Sequence, residues 1–244
     1  MKRPVQTLLL TLTGAGLLHT ALFTDIYLRY VKAGLRPLLI VSGAVLLLLG
    51  LAAAAVRDQP RHTAHDGHAH GHDHAATPRI AWLLFLPATS LLFYAPPALG
   101  AYTAARSSTK PVAVQKGFAA LPATSPLPLT LTDFTKRVQQ DRSRAIRSRI
   151  VKLTGFVTPA EDDDGFYLTR IIFTCCAADS QTVKVRVYGT EAPPANTWLA
   201  VTGTWHPHGG LGTRTAQAAL DVKETHPIAQ PVNAFTDDLP LTPS

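Results

Sequence analysis

The stretch Pro37–Val56 reads PLLIVSGAVLLLLGLAAAAV and decides what kind of protein this is. It contains 20 consecutive residues without a charge, centred on the run Leu46-Leu47-Leu48-Leu49. An α-helix rises about 1.5 Å per residue and the hydrocarbon core of a bilayer is about 30 Å thick, so about 20 apolar residues cross it. Uncharged runs of this length are rare in the cores of soluble proteins. We therefore expect this stretch to cross a membrane as a helix.

Two further uncharged windows lie on either side of this stretch. Val5–Phe23 contains 19 residues and Ile80–Ala105 contains 26. The later window carries three prolines, which predicts a kinked helix over about Ile80–Leu99. No small-x-small cleavage pattern follows the first window, so we interpret it as a retained anchor rather than a signal peptide. Residues 1–105 are thus expected to form a three-helix transmembrane region, with a hydrophilic loop at residues 57–79.

Charge is distributed unevenly along the 244 residues. Residues 1–105 contain 12 of the 39 Asp, Glu, Lys and Arg residues, and residues 106–244 contain the other 27. A hydrophobic content of 46% excludes a disordered chain, and two cysteines exclude a disulfide-dense secreted scaffold. The net charge of +7 is shared between both parts, and neither part is basic enough to indicate nucleic-acid binding.

The second part of the chain begins with a linker and a basic segment. Residues 106–130 are rich in Pro, Ala, Ser and Thr, which favours a semi-extended linker. A short helix is predicted over Asp133–Arg149, with Thr132 or Asp133 as its N-cap. Its six basic residues indicate either a solvated face or a contact with anionic lipid headgroups, and both interpretations stay open.

Five short runs with strand character follow, separated by turn residues. The runs are Ile150–Thr158, Phe166–Thr174, Thr182–Tyr188, Trp198–Trp205 and Ala216–Thr225. Five strands in so short a segment predict a small barrel, of which the oligonucleotide/oligosaccharide-binding (OB) type is the commonest. The expected fold is therefore membrane-anchored α plus all-β: three transmembrane helices followed by a five-stranded OB-like barrel at residues 131–228. We expect residues 229–244 to be a disordered tail.

The predicted loop between the second and third helices is rich in histidine. Six of the ten histidines of the chain fall within it: His62, His65, His68, His70, His72 and His74. Neutral imidazole is the commonest ligand for zinc, copper and nickel. Glycine and alanine residues between the histidines leave the tract flexible, so it can bind a cation but cannot impose one geometry. We predict a cation-collecting loop; the alternative is a polar low-complexity loop without a ligand.

Adjacent cysteines form the second candidate site, in the string Cys175-Cys176-Ala177-Ala178-Asp179. Neighbouring cysteines rarely form a disulfide with each other because the eight-membered ring is strained. If the strand ends near Thr174, Cys175, Cys176 and Asp179 turn to one side and form a three-ligand set for zinc or another divalent transition metal. If the strand continues, the two side chains point to opposite faces, one into the core and one inert. The residues leave both alternatives open.

Enzymatic motifs are not evident along the chain. It has no Gly-x-Ser-x-Gly elbow, phosphate-binding glycine loop or His-Glu-x-x-His sequence. We therefore expect a protein that is not an enzyme. The alternative is a membrane-anchored thiol or metal-dependent enzyme that uses Cys175 and Cys176. A reactive thiol would need a pKa lowered by a positive neighbour, and Arg170 is the nearest in sequence.

The whole layout resembles a family of small bacterial membrane proteins regarded as permease subunits, mostly from Gram-positive bacteria. The resemblance is carried by Gly155-Phe156-Val157, by Phe166-Tyr167-Leu168-Thr169-Arg170 and above all by Cys175-Cys176-Ala177-Ala178-Asp179, followed by Trp198 and Gly203. Such proteins have hydrophobic N-terminal spans and a C-terminal domain of unknown function, and are usually paired with a large permease. The segment Pro227–Ser244 departs from the family because it lacks an aromatic ending.

The resemblance implies a non-enzymatic accessory or regulatory subunit of a bacterial membrane permease. The histidine and cysteine clusters add the expectation that its transport is linked to a metal. Its expected partners are a multi-spanning permease subunit, the lipid bilayer and a metal cation, and not nucleic acid. We expect a multi-pass protein of the cell membrane with the β domain outside the cytoplasm. Lys2 and Arg3 suit a cytoplasmic start, and the proline-rich linker suits an extracytoplasmic domain, whereas the basic segment after it argues for the opposite orientation.

Overall fold

A computed structural model describes residues 3–55, 99–107, 111–160 and 164–241 of the chain. These residues belong to two compact units. The described part of the first unit contains helices α1 (Arg3–Phe23) and α2 (Arg36–Ala55). The second unit contains all the strands and also Leu28–Lys32, the short segment that connects the two helices in the sequence.

Two of the described helices are long and apolar enough to cross a membrane, over Val5–Phe23 and Ala33–Ala55. Many of their large apolar side chains are exposed, for example Leu12, Leu38 and Leu48, each more than half accessible. Exposed leucines on long helices are suited to contact with lipid. The third predicted helix, over Ile80–Leu99, lies outside the described residues except for Leu99, and so does the whole histidine-rich loop.

Helices α1 and α2 approach each other closely at glycines. A Cβ atom added to Gly14 would lie 2.6 Å from the backbone nitrogen of Leu47, and one added to Gly50 would lie 2.9 Å from the backbone nitrogen of Thr11. A side chain at either position would force the helices apart. Small residues at helix crossings are the usual basis of association in membranes, where the hydrophobic effect provides no driving force between helices.

Six strands form one mixed sheet in the second unit. They are β1 (Leu127–Pro128), β2 (Val151–Pro159), β3 (Phe166–Ile172), β4 (Gln181–Tyr188), β5 (Trp198–Trp205) and β6 (Ala219–Pro227). Their order is β1-β2-β3-β4-β6-β5, and an additional pairing of β2 with β5 bends the sheet into a partial ring. The parallel β4–β6 pairing covers only Arg186–Tyr188 and Ala219–Asp221. All five predicted strands are present, but the sheet has a sixth strand and both parallel and antiparallel pairs.

Valine, leucine and phenylalanine side chains from the strands fill the inside of the ring, because alternate residues of each strand point inward. Fully buried members are Leu153, Val157, Phe166, Leu168, Val185, Val187 and Val201. Helix α4 (Leu131–Gln140) adds Phe134 and Val138, both 0% exposed, to the same core. The hydroxyl of Thr130 caps this helix by accepting a hydrogen bond from the Asp133 N–H at 3.0 Å.

The segment predicted as a free linker is instead part of the β domain. Leu127, within the predicted linker, is only 1% exposed. Residues 101–105, predicted as the end of the transmembrane region, instead belong to a short helix α3 (Ala101–Arg106) that places Ala101 and Ala104 against β2 and β3. The predicted basic helix ends at Gln140, and two of its basic residues bind the linker. Arg137 donates a hydrogen bond to the Ala119 carbonyl, and Arg149 donates to the Pro122 carbonyl. The continuous part of the β domain, apart from the separate segment Leu28–Lys32, therefore begins at Leu99, not at residue 131.

The prediction of a disordered tail after residue 228 is wrong for the described residues. The Phe235 ring stacks on Phe173 with their centroids 4.7 Å apart, and the Phe173 N–H donates to the Phe235 carbonyl. The Arg170 guanidinium, almost fully buried, donates to the carbonyls of Asn233 and Thr236. We call residues 231–236 the C-terminal strap. In the sequence, Phe235 is an isolated aromatic residue near polar ones, so no hydrophobic pattern indicated that it packs on the domain.

These contacts predict that the β domain requires both its linker and its strap. A fragment restricted to Leu131–Ile228 loses the buried side chains of Ala101, Leu127 and Phe235. Removing one large buried side chain costs about 3–5 kcal/mol, against a total stability of about 5–15 kcal/mol for a typical domain. We expect the fragment to be unfolded or to melt far below a fragment of residues 99–241, as measured by circular dichroism. Equal melting temperatures would contradict the boundaries described here.

Candidate metal centre

The turn between β3 and β4 brings the two cysteines and Asp179 together. Strand β3 ends at Ile172, and a single 3₁₀ turn follows over Ala177–Asp179 before β4 begins at Gln181. Alanines at 177 and 178 have no β-branched side chain, so they tolerate this helical turn. Strand β3 thus ends before the cysteines. Of the two alternatives derived from the sequence, the structure adopts the one that brings all three groups together.

Asp179 organises this turn through its carboxylate. Its Oδ1 accepts hydrogen bonds from the Thr174 and Cys176 N–H groups at 3.1 and 3.2 Å, and its Oδ2 accepts from the Cys175 N–H at 2.8 Å. The Cys176 side chain accepts in return from the Asp179 N–H, which completes a capping box. A negative group that accepts bonds from three successive N–H groups holds the backbone before any ligand arrives.

The possible ligand atoms of Cys175, Cys176 and Asp179 all lie within 4.8 Å of one another. Cys175 is exposed and Cys176 is half-buried, and neither forms a disulfide. Thiolates and one carboxylate oxygen match the ligands that zinc accepts, and three protein ligands leave a fourth tetrahedral position open. The arrangement can therefore hold a metal ion that solvent or another ligand still reaches.

The carboxylate of Asp179 has only limited capacity left for a metal. Each carboxylate oxygen accepts about two hydrogen bonds, and Oδ1 already accepts two from the backbone. Oδ2 accepts one from the backbone and is the atom that remains available. Desolvation raises the pKa of Asp179, but its hydrogen bonds with the Cys175, Cys176 and Thr174 groups lower it, with a net decrease. The group is therefore ionised at neutral pH and fit for one monodentate bond.

Cys175 carries a thiol that resists ionisation. Its hydrogen bond to Asp179, followed by that to Cys176, raises the pKa of Cys175 to about 11. A thiolate beside a carboxylate is unfavourable because both groups are negative. Without a cation, Cys175 is therefore protonated at neutral pH, whereas a bound cation would compensate both charges.

Histidines do not join this group among the described residues. His206, directly after β5, pairs with Asp221, with Nδ1 and Oδ1 2.7 Å apart, and His226 pairs with Glu224 at 2.8 Å. The six histidines of the tract, His62, His65, His68, His70, His72 and His74, lie outside the described residues.

The connecting segment between α1 and α2 also contacts the turn, and the sequence did not indicate this. The Lys32 N–H donates to the Cys175 carbonyl at 2.9 Å, and the Ala177 N–H donates to the Tyr30 carbonyl at 2.7 Å. Hydrogen bonds between backbone groups require no particular side chains, so residue types in the sequence do not indicate them. The capping role of Asp179, in contrast, had a signal: an acidic residue three positions after a capping residue is the capping-box spacing.

One protein-family model matches part of the second unit. Residues 133–236 match the model of the DUF1980 C-terminal domain, a domain of unknown function. The matched range begins in α4, includes Cys175, Cys176 and Asp179, and ends in the C-terminal strap. Neither the curated proteins nor the solved structures gave a match to the chain.

The raised pKa of Cys175 predicts slow alkylation in the absence of metal. With a pKa of about 11, the thiolate fraction rises tenfold per pH unit from pH 7 to about pH 10. We expect labelling of Cys175 by iodoacetamide, resolved by peptide mass spectrometry with a chelator present, to follow that rise. Asp179→Ala removes the hydrogen bond that contributes most to the raised pKa of Cys175, so it should speed the labelling of Cys175 at pH 7. Fast labelling of the wild type at pH 7 that levels off below pH 9 would instead indicate a reactive thiol.

Proposed function

We propose that the protein is a membrane-anchored, metal-binding accessory subunit of a bacterial membrane permease. The observation that carries this proposal is the preorganised turn with its thiol, thiol and carboxylate groups within 4.8 Å of one another. The domain that presents it follows two helices suited to membrane anchoring. The permease is inferred from the sequence resemblance, and the described helices are too few to form a transport path alone.

The metal in this proposal is zinc or a similar divalent transition ion. Cys175 and Cys176 would supply two soft thiolate ligands, and Asp179 Oδ2 a third, harder ligand. Because Cys175 is exposed, the site is suited to exchange rather than to permanent burial of a structural ion. The histidine tract at residues 62–74 would collect cations with low selectivity, and the fourth position at the turn would be open to water or to a ligand from the partner.

An accessory role fits the chemistry of the turn better than a thiol enzyme does. A nucleophilic cysteine needs a lowered pKa, usually from a positive neighbour. Here Asp179 raises the pKa of Cys175, and Arg170, the candidate cation nearest in sequence, instead donates to the carbonyls of the C-terminal strap. A thiolate would therefore form at this site chiefly in response to a metal.

We further propose that the β domain is OB-like and lies outside the cytoplasm. The pairing order β2-β3-β4-β6-β5 with the return to β2 supports a partly open five-stranded barrel, to which β1 is added at one edge. The uncharged window at 80–99 supports a third span and a multi-pass protein. Binding of nucleic acid forms no part of this proposal.

Zinc titration of the full-length protein in detergent tests the metal site. To remove the background from the histidines, we would use a chain lacking residues 62–74 and measure bound zinc by equilibrium dialysis. We expect one zinc per chain, lost in Cys175→Ser and Cys176→Ser. Asp179→Asn should weaken binding by about 10- to 100-fold, since it disturbs both a ligand and the turn.

Ala178→Ser is the matched control, because residue 178 lies in the same turn, is exposed and supplies no ligand. It should bind zinc like the parent chain. If the parent chain binds no zinc while its domain is folded, or if both Cys→Ser variants bind like the parent, the metal site does not exist.

Co-purification from native membranes tests the permease partnership. We expect the tagged full-length chain to retain a multi-spanning membrane protein in near-stoichiometric amount, identified by mass spectrometry. The Cys175→Ser/Cys176→Ser double variant should retain the same protein, because we assign association to the apolar helices and not to the metal turn. Recovery of the wild-type chain alone, under conditions that preserve other membrane complexes, would argue against a permease subunit.

A further inference from the structure

The connecting segment Leu28–Lys32 forms a short antiparallel bridge with the metal-binding turn. Val31 is the bridge partner of Cys176. The two hydrogen bonds on either side, from Lys32 N–H to the Cys175 carbonyl and from Ala177 N–H to the Tyr30 carbonyl, define the pair. Each strand thus donates one bond and accepts one. Both partners belong to the same compact unit, so the bridge is part of the β domain.

This bridge contributes directly to the shape of the turn. The N–H groups of Thr174, Cys175 and Cys176 bind Asp179, and the Cys175 carbonyl and the Ala177 N–H bind the connecting segment. The backbone on both sides of Cys176 is therefore held by partners. Most buried backbone N–H and C=O groups form their hydrogen bonds within regular secondary structure. Here the partners of the Cys175 carbonyl and the Ala177 N–H come from Leu28–Lys32, far earlier in the chain.

The segment that forms this bridge lies between the two helices suited to cross a membrane. Phe23 ends the first helix suited to cross a membrane, and Ala33 begins the second. Lys32, which binds the Cys175 carbonyl, therefore immediately precedes a candidate span. A segment this close to both candidate spans has little length with which to leave the membrane surface, since an extended chain covers about 3.3 Å per residue.

We infer that the metal-binding turn operates at the membrane surface, bridged to the α1–α2 connection and on the same side of the bilayer. The inference rests on the proposed function only in calling the turn metal-binding; the bridge itself does not require metal. It deepens that proposal because the protein that receives or supplies the ion must then present its ligand at the membrane surface. A membrane protein meets that requirement.

Charge and chain direction agree with this placement. Arg29 and Lys32 are exposed beside the bridge, and long basic side chains of this kind are favoured at membrane interfaces on account of their apolar stems and charged ends. If α2 crosses the membrane after Lys32, the chain must recross it before Leu99 for the β domain to lie on the side of the bridge. One further crossing, by the third span predicted over Ile80–Leu99, would return the chain to that side.

Disulfide trapping in native membranes tests the inference. Residues that face each other without mutual backbone hydrogen bonds are the closest pairs in antiparallel sheets, about 4.5 Å apart at Cα. A full-length chain with Val31→Cys and Cys175→Ser should form an intramolecular disulfide between residue 31 and Cys176 with diamide, and a chelator should not prevent it. Arg29→Cys with Cys175→Ser is the matched control and should give at least tenfold less of the corresponding product.

The same membranes allow a test of sidedness. Cysteines introduced singly at Arg29 and at Val232, in a chain with Cys175→Ser and Cys176→Ser, should react with an impermeant maleimide from the same side of sealed vesicles. The inference would be overturned if the cysteines at positions 29 and 31 formed the disulfide with Cys176 equally well, or if disulfides formed only between two chains. Labelling of the two introduced cysteines from opposite sides of the vesicles would also overturn it. Because none of these readouts involves zinc, they can succeed while zinc titration fails, and the two proposals can fail separately.

Discussion

Strand β2 pairs with neighbours on both of its edges, and the arrangement of the β domain depends on this. Its first residues pair with β5 and its last residues with β3, and Phe156 has a partner in each. Close contact with β3 requires Gly155, since an added Cβ would lie 2.7 Å from the Thr169 carbonyl oxygen. These pairings bend the sheet into a partial ring that encloses the core. Strand β3 continues beyond this contact to Ile172, which pairs with Gln181 of β4, and the cysteine turn lies between these two residues.

The turn after β3 shows how one carboxylate can organise a site and limit its chemistry. Asp179 orders the backbone by accepting three N–H groups, and the same negative charge keeps Cys175 protonated. Such a pair is unsuited to act as a nucleophile, but it suits a cation, which would relieve the repulsion that opposes ionisation. The turn therefore combines a hydrogen-bonded backbone with a Cys175 thiol whose pKa is raised to about 11.

Two distant parts of the chain converge on this turn. The C-terminal strap stacks Phe235 on Phe173, immediately before the cysteines, and the connecting segment between the apolar helices binds Cys175 and Ala177. Neither contact involves the side chains that would hold a metal. The position of the cysteines thus depends on contacts with two segments that lie far apart in the sequence.

The sequence by itself determined the apolar helices, the five main strands and the spacing of Cys175, Cys176 and Asp179. These features depend on local patterns: runs of uncharged residues, alternation along a strand and residues three or four positions apart. Only the tertiary structure decided that Asp179 anchors three N–H groups, that Phe235 belongs to the core and that Lys32 binds the Cys175 carbonyl. Backbone hydrogen bonds between distant segments require no particular side chain, and one aromatic residue among polar neighbours has no periodicity. Such contacts therefore become visible only once the chain is folded.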